Sequence, residues 1–525
     1  MRILLKGGMV YDGNGGTPYT GDVLVEGEKI TGTAPVIRAE ADRTIDCTGL
    51  CVAPGFIDAH SHNDFYTGHD NAEKYFAPFL KQGITTQITG NCGFSPFGID
   101  KDSPYKEKVG GGVFSAKNPG SFSDYVKYSE GKLYVNIAPL VGNGTIRIGI
   151  SGYNPKPLDH DQIERELYFV DEAMENGALG GSFGFMYEPG LYSKNDEIYA
   201  FARRIAKYNG ILTVHPRACS KVAMGYPLLF SRPHLELALD EVVDIAKQTG
   251  VRTEYSHLIF VGESSWKTCG PMLEKFHELN RQGYSIAYDN YAFPYGASII
   301  TVVLPAWYMA LSEAGRKKPS VRFKLKLLIE ITKKLLGLDF CDFTVAYISE
   351  EHRQYEGKNI EQCAELDGLK PFDMYLKLVE LSGGKGRIYA GKYYNEEIIL
   401  TLMKDDLSVF MTDAWVEETG VQNGSAFQCF PYFLVRAREH NFPLETIIHK
   451  MTGKTAGRFQ INNRGVLAAG NYADITVFDY KNLRVEPDIP DFSPHGIQYV
   501  FVNGTALVDN GVFCSAKPGK IISRN

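Results

Sequence analysis

The chain has 525 residues, 44% hydrophobic and 22% charged, an ordinary globular composition with room for a large catalytic domain and a smaller one. Its net charge of −7, with both signs interspersed, leaves no basic tract for nucleic acid or a membrane surface. Nine scattered cysteines, an odd number, do not form a disulfide framework.

The opening Met1-Arg2-Ile3-Leu4-Leu5-Lys6-Gly7-Gly8 has too short an apolar run for a signal peptide. No stretch reaches the roughly 18 apolar residues of a membrane-spanning helix. The cytoplasm is therefore the expected location. The first 50 residues read as short strands, at Ile3-Leu4-Leu5, Asp22-Val23-Leu24-Val25 and Lys29-Ile30, separated by glycine-rich turns. Similar material returns at 473–478 and 498–504. The expectation is one small β-sandwich domain made from both termini, residues 1–54 and 460–525.

Between them, short apolar strands alternate with longer helical stretches such as 162–176 and 236–249. This is the rhythm of an α/β fold, a (β/α)8 barrel of the TIM type, over 55–459. Eight strands are expected, at 51–58, 85–89, 134–141, 180–185, 211–214, 253–256, 284–289 and 407–412. The wide gap before the last strand implies an inserted subdomain at about 300–375, rich in Lys and Leu at helical spacing.

In such a barrel the functional residues sit at the C-terminal ends of the strands. Strand one runs into His60-Ser61-His62, and residues two apart on a strand point the same way, so both imidazoles can reach one ion. Strand two leads to Cys92, strand five to His215, strand six to His257 and strand eight to Asp413. Four His, one Cys and one Asp are nitrogen, sulfur and oxygen donors that suit Zn2+. Taken singly, each would read as an ordinary structural residue; falling in barrel order, they read as a metal site. His69 lies near the site but off the strand and reads as a loop residue.

The motifs now resemble the amidohydrolase superfamily, and within it the D-aminoacylase (N-acyl-D-amino-acid deacylase) branch. Pro54-Gly55-Phe56-Ile57-Asp58-Ala59-His60-Ser61-His62 is similar to the superfamily's opening motif. Gly90-Asn91-Cys92-Gly93 is more selective, since most relatives use a carboxylated lysine where this branch has cysteine. Gly177-Ala178-Leu179-Gly180, Ser256-His257-Leu258, Asp289 and Lys450-Met451-Thr452 continue the likeness over nearly the whole chain. The resemblance implies one tight zinc on Cys92, His215 and His257, and a second, weaker site on His60, His62 and Asp413, its occupancy left open. It also implies hydrolysis of a C–N amide bond by a metal-activated water, with Asp413 as general base and then acid. The substrate is expected to be an N-acyl-D-amino acid. Tyr187, Tyr291 or Tyr295 is expected to stabilise the developing oxyanion.

The family's substrate-binding pattern breaks in this sequence. Its carboxylate-binding lysine, two residues after the strand-six histidine, is Ile259. Its arginine after the catalytic aspartate is missing from Ala414-Trp415-Val416-Glu417-Glu418. Arg217 remains as a candidate for gripping a carboxylate, with Lys267 behind it. The alternative is a less anionic or cyclic amide in a pocket lined by Phe94, Trp266 and Trp415. A ring deaminase is disfavoured, because Leu258-Ile259-Phe260 follows His257 where an HxxE pattern would stand. A catalytically dead scaffold is disfavoured by the intact ligand set. The expected partner is a small amide; a homo-oligomer is compatible, and the glycine run at 110–112 suggests a mobile loop.

Overall fold

A computed structural model describes residues 1–110, 113–223, 226 and 232–524. Of the Gly110-Gly111-Gly112 run, Gly111 and Gly112 lie outside the described residues. Eight parallel strands form one sheet in chain order, labelled β1 (Phe56–Asp58), β2 (Ile84–Thr89), β3 (Asn136–Gly142), β4 (Gly180–Gly184), β5 (Ile211–His215), β6 (Arg252–Tyr255), β7 (Ile286–Asn290) and β8 (Ser408–Phe410). The ends meet through the strand exits. Ala59 N–H donates to the Phe410 carbonyl at 3.1 Å, and Asp413 N–H to the His60 carbonyl at 3.0 Å. The barrel closes next to the two most informative motifs in the chain.

Helices between the strands begin and end on local signals. Helix His160–Glu175 starts with a reciprocal cap, in which the Asp159 side chain accepts from Gln162 N–H and the Gln162 side chain from Asp159 N–H, a device that contributes about 1 kcal/mol. Its buried Leu167, Val170 and Met174 recur at helical spacing and face the barrel. Helix His234–Thr249 stops at Gly250, whose φ of 69° only glycine adopts cheaply. Among the described residues, no helix is long and apolar enough to cross a membrane.

The strand expected at 51–58 is in fact two strands. Cys51–Pro54 pairs antiparallel with Ile475–Phe478 in the terminal sheet, and only Phe56–Asp58 enters the barrel. The break falls at Gly55, where a β-carbon would collide with Thr85. An apolar run cannot show that its two halves pair with different sheets. The terminal strands build one nine-stranded sheet from both ends of the chain, around a core that includes Ile3, Val23, Val25, Val477 and Phe501.

Between β7 and β8 lies a separate antiparallel sheet of three strands, Gly296–Ile299, Arg387–Ala390 and Phe343–Tyr347, with Arg387–Ala390 in the centre. Helices Pro319–Leu336, Ile360–Asp367 and Pro371–Leu381 accompany it. This insertion packs over the exit of β6: Tyr394 donates to the Leu258 carbonyl at 3.0 Å, and Phe260 N–H to the Tyr393 carbonyl at 3.1 Å.

Candidate metal centre

The barrel brings His60, His62, Cys92, His257 and Asp413 together at its C-terminal mouth. Cys92 Sγ lies 3.3 Å from His60 Nε2 and 3.8 Å from His257 Nε2. Asp413 Oδ1 lies 3.5 Å from His60 Nε2 and 3.6 Å from His62 Nε2. Two triads therefore have donor atoms within 4.8 Å of one another, His60–Cys92–His257 and His60–His62–Asp413. His60 belongs to both and sits between them.

His215 stands at the edge of this cluster. Its ring packs against His257, with centroids 4.3 Å apart, and against Tyr187 at 4.4 Å. Its Nδ1 lies 2.9 Å from the Pro216 carbonyl. Donation there fixes the tautomer and leaves Nε2 as the free lone pair, as a metal-ligating histidine needs. Among the described residues, no hydrogen-bond partner reaches the buried Nδ1 of His62. In this geometry His60, rather than His215, forms the first triad with Cys92 and His257.

Three of these residues hold left-handed backbone without being glycine: Cys92 (φ 54°), His257 (φ 34°) and Asp413 (φ 45°). Each such residue costs about 1–3 kcal/mol, so the strain turns the side chains inward at three separate strand exits. Neighbours hold these turns in place. Asp289 faces His60 Nδ1 with Oδ2 at 3.4 Å and accepts the His257 N–H with Oδ1. Asp58 accepts from Thr412 N–H at 2.8 Å and from its hydroxyl at 2.6 Å. Ser182 receives Gly93 N–H at 2.9 Å and donates to the Gly90 carbonyl, which braces the Cys92 turn. At Gly184 a β-carbon would strike the Cys92 carbonyl. Asp58 and Asp289 stand in the family-like motifs, but their bracing role depends on who lies opposite. Ser182 too stands in a family-like stretch, after Gly177-Ala178-Leu179-Gly180, but only the fold shows that it braces the Cys92 turn.

The charges of the cluster are mutually dependent. Burial would raise the Cys92 thiol, yet the adjoining His60 and the hydrogen bonds of His257, His60 and His62 hold it well below its usual range. Burial likewise opposes charging of His62 and His257, but Asp413 and Cys92 for the first, and Cys219 and Cys92 for the second, hold them up at about 9 and about 10. His215 is pushed down to about 3 by burial and by His257, so it is neutral. Asp413 is held well below the usual carboxylate range, because His60, His62 and His257 outweigh its burial. Anionic sulfur and oxygen donors interleaved with imidazoles suit Zn2+.

The surrounding side chains decide what else fits. Tyr187 is half-buried; desolvation and then the neighbouring Cys92 push its phenol well up, so it stays protonated as a donor. Tyr291 is 3% exposed and its phenol is likewise pushed well up, mainly by burial and Tyr394. Tyr295 packs between Phe293 and Tyr389 and directs its hydroxyl to the Gly424 backbone. Arg217 is fully engaged elsewhere. Its Nε and Nη2 fork onto Glu241 at 2.8–3.2 Å, and its Nη1 reaches the Phe185 and Leu191 carbonyls at 3.5 and 3.3 Å. Lys267 is exposed, and Trp266 donates to the Lys392 carbonyl at 3.4 Å, against the insertion. Phe114 stacks on His62 at 5.1 Å, and Trp415 meets both rings edge-on. Phe94 lies 6.1 Å from Tyr187. Phe114 and Cys219 carry no motif and escape sequence reasoning.

Comparison with known proteins gives a consistent set. The model of the Amidohydrolase family matches residues 333–507. A D-aminoacylase from Alcaligenes xylosoxydans xylosoxydans is 26% identical over 99% of this chain and 97% of its own. An N-acyl-D-glutamate deacylase from the same organism is 26% identical over 100% and 97%. The solved N-acyl-D-glutamate deacylase from Bordetella bronchiseptica, complexed with zinc and a phosphonate inhibitor that mimics the tetrahedral intermediate, superposes with a TM-score of 0.79 over 99% of both chains at 21% identity.

Proposed function

We propose that this chain is an amidohydrolase of the D-aminoacylase kind, a zinc-dependent hydrolase cleaving a C–N amide bond at the barrel mouth. One observation carries this reading: five donor side chains from four strand exits converge there, with His215 at their edge and the Asp413 carboxylate 3.5–3.6 Å from two imidazoles. Zinc held by Cys92, His257 and either His60 or His215 would supply Lewis acidity, polarising the scissile carbonyl and acidifying water.

The chain's own groups do the rest. Asp413 is ionised at neutral pH and faces the cluster, positioned to take a proton from the attacking water and return it to the leaving nitrogen. Tyr187, protonated and beside Cys92, is the nearest neutral donor for negative charge growing on the carbonyl oxygen. Tyr291 is a second phenol within electrostatic reach of Asp413. Phe114 and Trp415 pack against the His62 ring and shield it from solvent. The test is Asp413→Asn, which should lower kcat by about 10²–10⁴ with bound zinc unchanged. Near-normal turnover with metal bound would remove Asp413 from this role.

The names of the relatives point to an N-acyl-D-amino acid as substrate. A specific observation favours a second reading, an amide without a free carboxylate. Arg217 spends its donors on Glu241 and two carbonyls. Arg387 is ion-paired with Glu417 and bound to the Thr419 carbonyl. Ile259 is 8% exposed and apolar, and residues 111–112, 224–225 and 227–231, outside the described stretches, include no Lys or Arg. A carboxylate bound there would lack a partner, at a cost of several kcal/mol. Parallel assays of N-acetyl-D-amino acids, their L-isomers, their carboxamides and cyclic imides decide between the two. Preference for the carboxamide or imide supports the second reading, and preference for the free D-acid overturns it.

A further inference from the structure

The insertion between β7 and β8 carries a surface unlike any other among the described residues. Sixteen large apolar side chains stand out as exposed among the described residues, and eight of them lie within residues 296–390. Four are on one helix, Pro319–Leu336: Phe323 is 72% exposed, Leu327 54%, Ile331 47% and Leu335 41%. They recur every fourth residue and so make one continuous ridge along the helix. The opposite face, with Leu325, Ile329 and Leu336, is the one buried against the protein. A solvent-facing ridge of this size is not explained by packing within the chain, since apolar side chains are stabilised by leaving water.

The charge around the ridge is equally distinctive. Between Arg316 and Lys334 stand eight Lys or Arg residues and one acid, Glu330, in a chain whose net charge is −7. Lys317 is ion-paired with Glu313 and Glu380, Arg322 with Asp373 and Lys333 with Asp339. Lys324 and Lys326 lie against the Trp307 and Phe372 rings rather than against acids, and Lys318 and Lys334 have no ion-pair partner among the described residues. Helical spacing distributes most of these cations among apolar residues, which is why no basic tract is visible in the sequence.

We infer that this helix docks the enzyme onto an anionic lipid surface, with the ridge entering the headgroup boundary and the lysines meeting lipid charge. An exposed apolar ridge bordered by unpaired cations is the chemistry of an interfacial helix, and each Lys near an anionic bilayer adds to its attraction. A second copy of the chain fits less well, because a twofold contact along the ridge would bring its unpaired lysines against their own copies. Position gives docking a consequence. The helix ends at Gly337, whose carbonyl accepts from Lys392 at 3.2 Å, and the Leu336 carbonyl approaches Gly262 closely, five residues beyond His257. The ridge thus belongs to the element that borders the metal-bearing mouth.

The experiment is co-sedimentation of the full-length zinc-loaded enzyme with phosphatidylcholine vesicles, with and without phosphatidylglycerol, at low and high salt. Binding to the phosphatidylglycerol vesicles should be strong at low salt and fall at high salt. Leu327→Ser with Ile331→Ser, and separately Lys324→Glu with Lys334→Glu, should each weaken it about tenfold or more, with hydrolysis of a water-soluble amide unchanged. Light scattering of the free enzyme is run alongside. The inference is overturned if neither vesicle sediments the enzyme, or if the exposed-residue variants bind as well as the wild type. It is also overturned if Leu327→Ser with Ile331→Ser dissolves an oligomer while vesicle binding stays absent.

Discussion

The floor of the pocket and its outer wall are built on different terms. On the floor almost every donor is held from behind: Asp289 serves both His60 and His257, the Pro216 carbonyl sets the tautomer of His215, and Ser182 braces the Cys92 turn. On the wall the charged side chains are satisfied by one another. Arg217 is tied to Glu241 and Arg387 to Glu417, while Ile259, Phe114 and Trp415 supply apolar surface. The floor specifies a reaction. The wall bears on which molecule reaches it, and the proposal of an amide without a free carboxylate rests on the cations that are consumed there. Reaction and recognition have separate structural supports, so one can change while the other is kept.

The contrast can be broken most forcefully at the floor. Cys92→Ala and His257→Ala should each abolish stoichiometric zinc binding by elemental analysis, and hydrolysis should fall at least as far as in Asp413→Asn, by about 10²–10⁴ or more. Either variant retaining both metal and turnover would remove that residue from the ligand set. One shell further out, Asp289→Asn should weaken metal affinity about 10–100-fold, measured by chelator competition, with circular dichroism unchanged. An unaltered affinity would make Asp289 a purely structural group. Backbone approach gives a smaller effect, read as stability. Gly184→Ala should cost about 1–3 kcal/mol in denaturant unfolding, because its new methyl meets the Cys92 carbonyl. Gly270→Ala, in a helix with open space around it, should be neutral or stabilising by up to about 1 kcal/mol. Equal effects at the two sites would refute the packing argument.

The wall offers the smallest and most informative change. Ile259→Lys should raise kcat/KM for N-acetyl-D-amino acids relative to their carboxamides by about tenfold, the worth of one hydrogen bond to a charged group. No shift in that ratio would show that residue 259 does not face the substrate's non-reacting end.

What the sequence alone determined was local and repetitive. Strand and helix periods located all eight barrel strands to within a few residues, and the chemistry of His60, His62, Cys92, His215, His257 and Asp413 marked strand exits because a barrel places exits together. Both kinds of signal lie within short windows of chain. What only the tertiary structure decided were choices among distant partners. A single apolar run at 51–58 divides at Gly55 because its first half finds Ile475–Phe478. Arg217 is lost to the substrate because Glu241, on the following helix, reaches it first. His60 comes closer to Cys92 than the motif implies, and Phe114, from a stretch with no motif, covers His62. The ridge from Phe323 to Leu335 looks in sequence like any amphipathic helix. Only the fold shows that one apolar face is already buried and the other is not, because burial is a property of the neighbours and not of the residues themselves.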